Sequence, residues 1–282
     1  MAISYTATLN DGAVGVSAAN WSDATGFGAA NPKLLIAEAT QTINAGLDQT
    51  AASAVDLIHI IGGTPRIVGT ANEALNYKPD STYSTEPNLV WRTSGGVLHV
   101  KFDTNEANLV VLAGSGEVFI HDGAIVRLVC DGPNVTVAGA ADITTELIVN
   151  SGSVYVESSS DTIPTYRQGG GACYMRRRIE TTAHINGGRL KNYNITGSST
   201  GTLNINGGIL APESGDIATI NRNGGVFDLD GAKRAVALGG TAITNYGPDA
   251  MPSSRGLVTI GGGTTVDYAT HTGNTFAVPG GR

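Results

Sequence analysis

The sequence predicts an all-β fold, a right-handed parallel β-helix. Three observations carry the expectation: recurring glycine clusters, alternating apolar residues after each cluster, and a scarcity of charge. Successive clusters lie about 15 to 23 residues apart, mostly about 17 to 20, which fits one turn of a β-helix. The period is too short for a propeller blade or a helical pair, and the units lack the Leu/Asn ladder of leucine-rich repeats. Charged residues make up only 15% of the 282, and Gly reaches 39 copies, a balance that suits short strands and tight corners. Amphipathic helices would need more Leu, Glu and Lys.

Taken in order, residues 1–50 break the pattern and are expected to form a short irregular N-terminal segment. The stretch Asn20-Trp21-Ser22-Asp23 precedes an apolar patch at Leu34-Leu35-Ile36. An open solenoid exposes a raw strand edge, so this segment is read as a cap on the first coil or a dock for a partner, with Trp21 as a docking residue. The β-helix is then expected over 51–282 as one elongated domain, with loop excursions at 70–92 and 158–181.

The rungs themselves begin clearly at Ser94-Gly95-Gly96-Val97-Leu98-His99-Val100 and return at Gly114, Gly132 and Ser151. Alternate residues of a strand share a face, so either Val97 with His99 or Leu98 with Val100 points inward, and Val135 pairs with Val137 while Thr136 points away. From residue 186 the corners read Asn-Gly-Gly, at Asn186, Asn206 and Asn223. Gly and Asn reach positive φ at low cost, and amides at one register are expected to stack as a ladder. A lone rung buries too little to offset its ordering, so neighbouring coils must supply the rest of the burial and the hydrogen bonds. The stretch after Pro248 and Pro252, through Leu257 to Ile260, reads as a last irregular rung.

The formal net charge of -7 argues against nucleic acid, whose binders carry a basic stripe that releases counterions. No apolar run approaches about 18 residues, and Met1-Ala2-Ile3-Ser4-Tyr5 lacks the basic and apolar regions of a signal peptide. Neither a membrane span nor export by a signal peptide is expected. Cys130 and Cys173 have no metal-ligand spacing around them and read as reduced thiols in the core.

Several residues are weighed for chemistry. Asp228 and Asp230, two apart on an expected strand, share one face about 6 to 7 Å apart, a geometry open to acid/base hydrolysis or to an ordinary solvated strand end. The five histidines are scattered, although stacking brings His99 and His121 close, and no metal site or cofactor is expected. Arg176, Arg177 and Arg178 form the one dense basic run, read as a solvated protrusion able to grip an acidic partner or an anionic glycan. The glycine run 261–263 lacks the Lys of a phosphate-binding loop, and the sequons at Asn134 and Asn194 are idle without export.

The Asn-Gly-Gly-hydrophobic corners at 186, 206 and 223, with the Val-rich rungs from 94 to 156, resemble the β-helical structural proteins of tailed bacteriophage virions. The Asn20-Trp21-Ser22-Asp23 opening and Gly46-Leu47-Asp48-Gln49-Thr50 look like the start of small phage proteins of this kind. The resemblance implies a capsid decoration or cement protein, made in the host cytoplasm, placed on the virion, and commonly a homotrimer. Its partner would be the major capsid protein or another virion protein. The alternatives are a tailspike-like glycan-binding protein and a β-helical polysaccharide lyase or hydrolase using Asp228 and Asp230. Aromatic residues, the usual sugar platforms, total only 6%, which favours decoration.

Overall fold

Glycine corners and alternating apolar residues wind the chain into a parallel β-solenoid, seen in a computed structural model. The structure describes residues 58–67, 75–79, 87–102, 106–157, 160–192 and 201–211 with Asn221, Gly224 and Gly225 in full, and further short strands by their backbone. No helix occurs among the described residues, and every pairing between separate strands is parallel. The chain divides into two units, Met1–Thr144 and Thr145–Arg282.

In the first unit each coil has three short faces. Lys33–Ala37, Thr42–Ile43 and Leu47–Asp48 pair in turn with Leu57–Ile61, Arg66–Ile67 and Leu75–Tyr77. Those three pair onward with successive parts of Leu89–Phe102. The segment 1–50, expected to cap or dock, therefore contributes a coil of its own, and the apolar patch Leu34-Leu35-Ile36 lies in one of its strands. Excursion 70–92 likewise contains the strand Leu75–Tyr77. Leu98 and Val100 are the inward pair, while Val97 and His99 are half-buried. Val135 and Val137 are buried and Thr136 is half-buried, as the alternation predicts.

The second unit repeats the plan at a steady interval. Thr165 pairs with Thr182, which pairs with Thr202, which pairs with Thr219, so successive coils advance by 17, 20 and 17 residues. Residues 158–181, expected as an excursion, instead hold the strands Thr162–Gln168, Ala172–Met175 and the start of Arg178–Ile185. Ile163, Tyr166, Cys173 and Met175 are fully buried there. The segment looked irregular because polar residues, Gln168 and Arg177, occupy inward places that the pattern reserves for aliphatics.

Columns of like residues form the interior. Val154, Cys173, Leu190 and Leu210 stack in register and are all fully buried. Each such side chain contributes about 1.5 to 3 kcal/mol of transfer free energy. Buried polar groups meet backbone partners: Asn88 Oδ1 accepts from the amides of Asn108 at 2.7 Å and Leu109 at 3.2 Å, and its carbonyl accepts from Ile58 N and Tyr77 Oη. Gln168 Nε2 donates to the carbonyls of Gly170 and Gly171, and its Oε1 accepts from Tyr166 Oη at 3.0 Å.

The corners bring backbones closer than side chains allow. Gly188 and Gly208 stand at φ 70° and 71°. A Cβ on Gly188 would lie 2.4 Å from the carbonyl oxygen of Gly171, and one on Gly208 would lie 2.6 Å from that of Gly188. Those same oxygens accept the first amides of the next strands, Arg189 N at 2.9 Å and Ile209 N at 2.8 Å. Moving them aside would break the ladder at its start.

Gly208→Ala is therefore expected to lower the urea midpoint by the equivalent of at least about 2 kcal/mol, combining left-handed strain with displaced backbone. Gly169→Ala is the control, because an added Cβ there first meets the Asn150 side chain, at 3.3 Å. It should cost less than about 1 kcal/mol, and equal losses from the two variants would refute the corner argument.

Candidate functional site

Outward columns, not the interior, carry the groups able to meet a ligand. In the first unit, stacking brings His99 and His121 together as expected: His121 Nε2 lies 2.9 Å from His99 Nδ1, with the proton on one of the two nitrogens. Phe119, the register partner of His99, packs with its ring centroid 4.5 Å away. Lys101 and Asp122 form an ion pair at 3.4 Å, and Asp122 Oδ1 also accepts from Gly123 N. Among the described residues no group of three or more His, Cys, Asp or Glu converges as a metal site.

In the second unit, strand register assembles a polar column that sequence reading missed. Arg167 pairs with Ile148 on one side and His184 on the other, and His184 pairs with Asn204. Arg167 Nε reaches diagonally to Glu146 Oε1 at 2.5 Å, where the carboxylate is largely buried and the guanidinium half-exposed. His184 is held below the ordinary histidine value, chiefly by burial and secondly by the Arg167 charge, with Glu146 opposing. Asn221 Nδ2 donates to Asn204 Oδ1 at 3.0 Å, a second amide ladder. The expected corner ladder is present where Asn206 Nδ2 donates to Asn186 Oδ1 at 2.8 Å; Asn223 lies outside the described residues.

The basic run is not the uniform solvated protrusion the sequence suggests. Arg176 is exposed, with its Cζ 5.9 Å from the centre of the Tyr155 ring, and Arg178 is half-buried. Arg177 is fully buried at the corner after Met175, where its Nε donates to the Glu157 carbonyl and its own carbonyl accepts from Asn192 Nδ2. Arg177 thus serves the corner, which removes it from the docking candidates of this run. Trp21, Asp228 and Asp230 lie outside the described residues.

Both cysteines are free and buried, as expected. Burial pushes the Cys173 thiol up to about 12, partly offset by its hydrogen bond with Tyr166. Such a thiol is not a nucleophile at neutral pH. Comparison with protein-family models, curated proteins and solved structures finds no match.

Two outcomes follow. Because His184 resists protonation in the fold while the unfolded chain does not, the unfolded state binds more protons below the ordinary value of 6.5, and stability falls as pH drops through it. Urea unfolding at about pH 8 and about pH 5 should show a smaller acid loss for His184→Gln than for the parent, and identical losses would refute the burial argument. For the cysteines, a thiol reagent should leave the native protein unmodified and label both positions in denaturant; rapid native labelling would contradict the packing.

Proposed function

We propose that the chain is a virion structural protein, a capsid decoration or cement protein that binds the capsid surface and stabilises it. The observation that supports this reading most is the corner stack, in which each coil's turn closes directly on the backbone of the coil before it. Such a coil has little room to open locally, which suits a surface exposed to proteases and to pressure on the shell. The phage-like Asn-Gly-Gly corners and sparse charge point the same way. Under this reading the partner is the major capsid protein or another virion protein, the assembly is a homotrimer, and no catalytic residue is required.

A second reading, a glycan-binding spike, is favoured by Tyr174, one of two large apolar side chains exposed among the described residues. Cleavage of polysaccharide would rest on Asp228 and Asp230.

Co-sedimentation with capsids stripped of surface proteins separates these readings. A decoration protein should bind at a fixed copy number in multiples of three and raise the temperature at which particles release their genome. Release of reducing ends from an acidic polysaccharide by the purified protein, without capsid binding, would overturn the proposal in favour of an enzyme.

A further inference from the structure

We propose that His99 and His121 form a binding site for copper(II) on the outer surface of the first unit. Strand pairing sets Phe119 against His99 and Ile120 against Val100, and then resumes with Asp122 against Lys101. His121 is thus one residue more than the partner strand matches. Such a bulge bends the strand and re-aims the side chain it carries. Val100 and Ile120 stay buried, while His121 is turned back across the pairing onto His99.

The spacing of the two rings decides what they can hold. His121 Nε2 and His99 Nδ1 lie 2.9 Å apart. Imidazole nitrogens bind a metal at about 2.0 to 2.1 Å, so two held at a right angle on one ion stand about 2.9 Å apart, and two at a tetrahedral angle about 3.4 Å. The observed spacing fits the tetragonal geometry of copper(II), which also binds such donors more tightly than the other divalent ions of its row. A small swing of each ring turns its lone pair from the neighbouring nitrogen toward a shared ion. The imidazole that donates within the pair moves its proton to its other ring nitrogen, so no net proton is lost. Phe119 backs both rings, with its centroid 4.5 Å from that of His99 and 6.5 Å from that of His121, and forms an apolar wall that limits their swing.

Neighbouring charge does not supply a third ligand. Asp122, next to His121, is held by the Lys101 ammonium at 3.4 Å and by Gly123 N at 2.7 Å. The remaining positions on the ion fall to water. Calcium and magnesium take oxygen donors, and zinc sites take three or four protein ligands, so neither class suits two imidazoles. The histidines are 22 residues apart, which is why no ligand motif is visible in the sequence. The inference does not depend on the capsid reading.

The test is calorimetric titration of the untagged full chain with copper(II) chloride, with electron paramagnetic resonance of the bound ion. One copper per chain should bind at this pair, with two nitrogens in its spectrum, and should protect His99 and His121 from diethyl pyrocarbonate. His99→Gln and His121→Gln should each weaken binding by at least about tenfold, since losing a ligand costs no less than losing a group that orients one. His184→Gln should bind as the parent does. No copper binding, fewer than two nitrogens on the bound ion, full reactivity of both histidines in its presence, an equal loss in His184→Gln, or undiminished affinity in both folded variants would overturn the proposal. The spectrum and the protection are read on the parent protein, so they decide the matter even if a variant fails to fold.

Discussion

The approach of one coil's corner to the backbone of the next is the contact on which the rest of this structure depends. At Gly188 and Gly208 the chain turns with positive φ, and the space where a Cβ would stand is taken by a carbonyl oxygen of the preceding coil. That oxygen also starts the hydrogen-bond ladder of the following strand. Turn geometry, rung spacing and strand register are thus set by one contact. Alignment of the inward columns, such as Val154 with Cys173 and Leu190, follows from it.

Polar residues in the interior serve the same corners. Gln168 ties its amide to the carbonyls of Gly170 and Gly171, and Arg177 ties its guanidinium to the carbonyl of Glu157. A turn leaves backbone groups without ladder partners, and burying them unsatisfied costs about 1 to 3 kcal/mol each. A long side chain that reaches back to a turn carbonyl offsets that cost, while the Gly171 carbonyl, which already accepts Arg189 N, gains a second donor. Asn88 does the equivalent service in the first unit, accepting two amides from the next coil.

Outward positions escape these demands, and there the solenoid acts as a means of placement. Residues one coil apart in sequence become neighbours across a pairing, which is how Glu146 meets Arg167 and how His99 meets His121. The same rule gathers Tyr155, Tyr174, Arg176, Arg189 and Lys191 onto one side of an acidic chain.

Much of the architecture was legible because it is written in short-range pattern. Gly and Asn at recurring corners, and alternation such as Val135-Thr136-Val137, determine by themselves that the chain forms flat strands joined by sharp turns, with aliphatics inside. Composition likewise determined that the two thiols lie in the core. Pattern alone did not reveal the coil hidden in 158–181, because Gln168 and Arg177 are inward and their reasons for burial are carbonyls of other segments. Nor did it separate Arg176 from Arg177, adjacent in sequence, of which one is exposed and the other fully buried. Which residues share an outward face was decided only by register, since the offset between coils varies, from 16 at Ile163 and Ile179 to 31 at Ile58 and Leu89, and a shift of one residue sends a side chain to the opposite face.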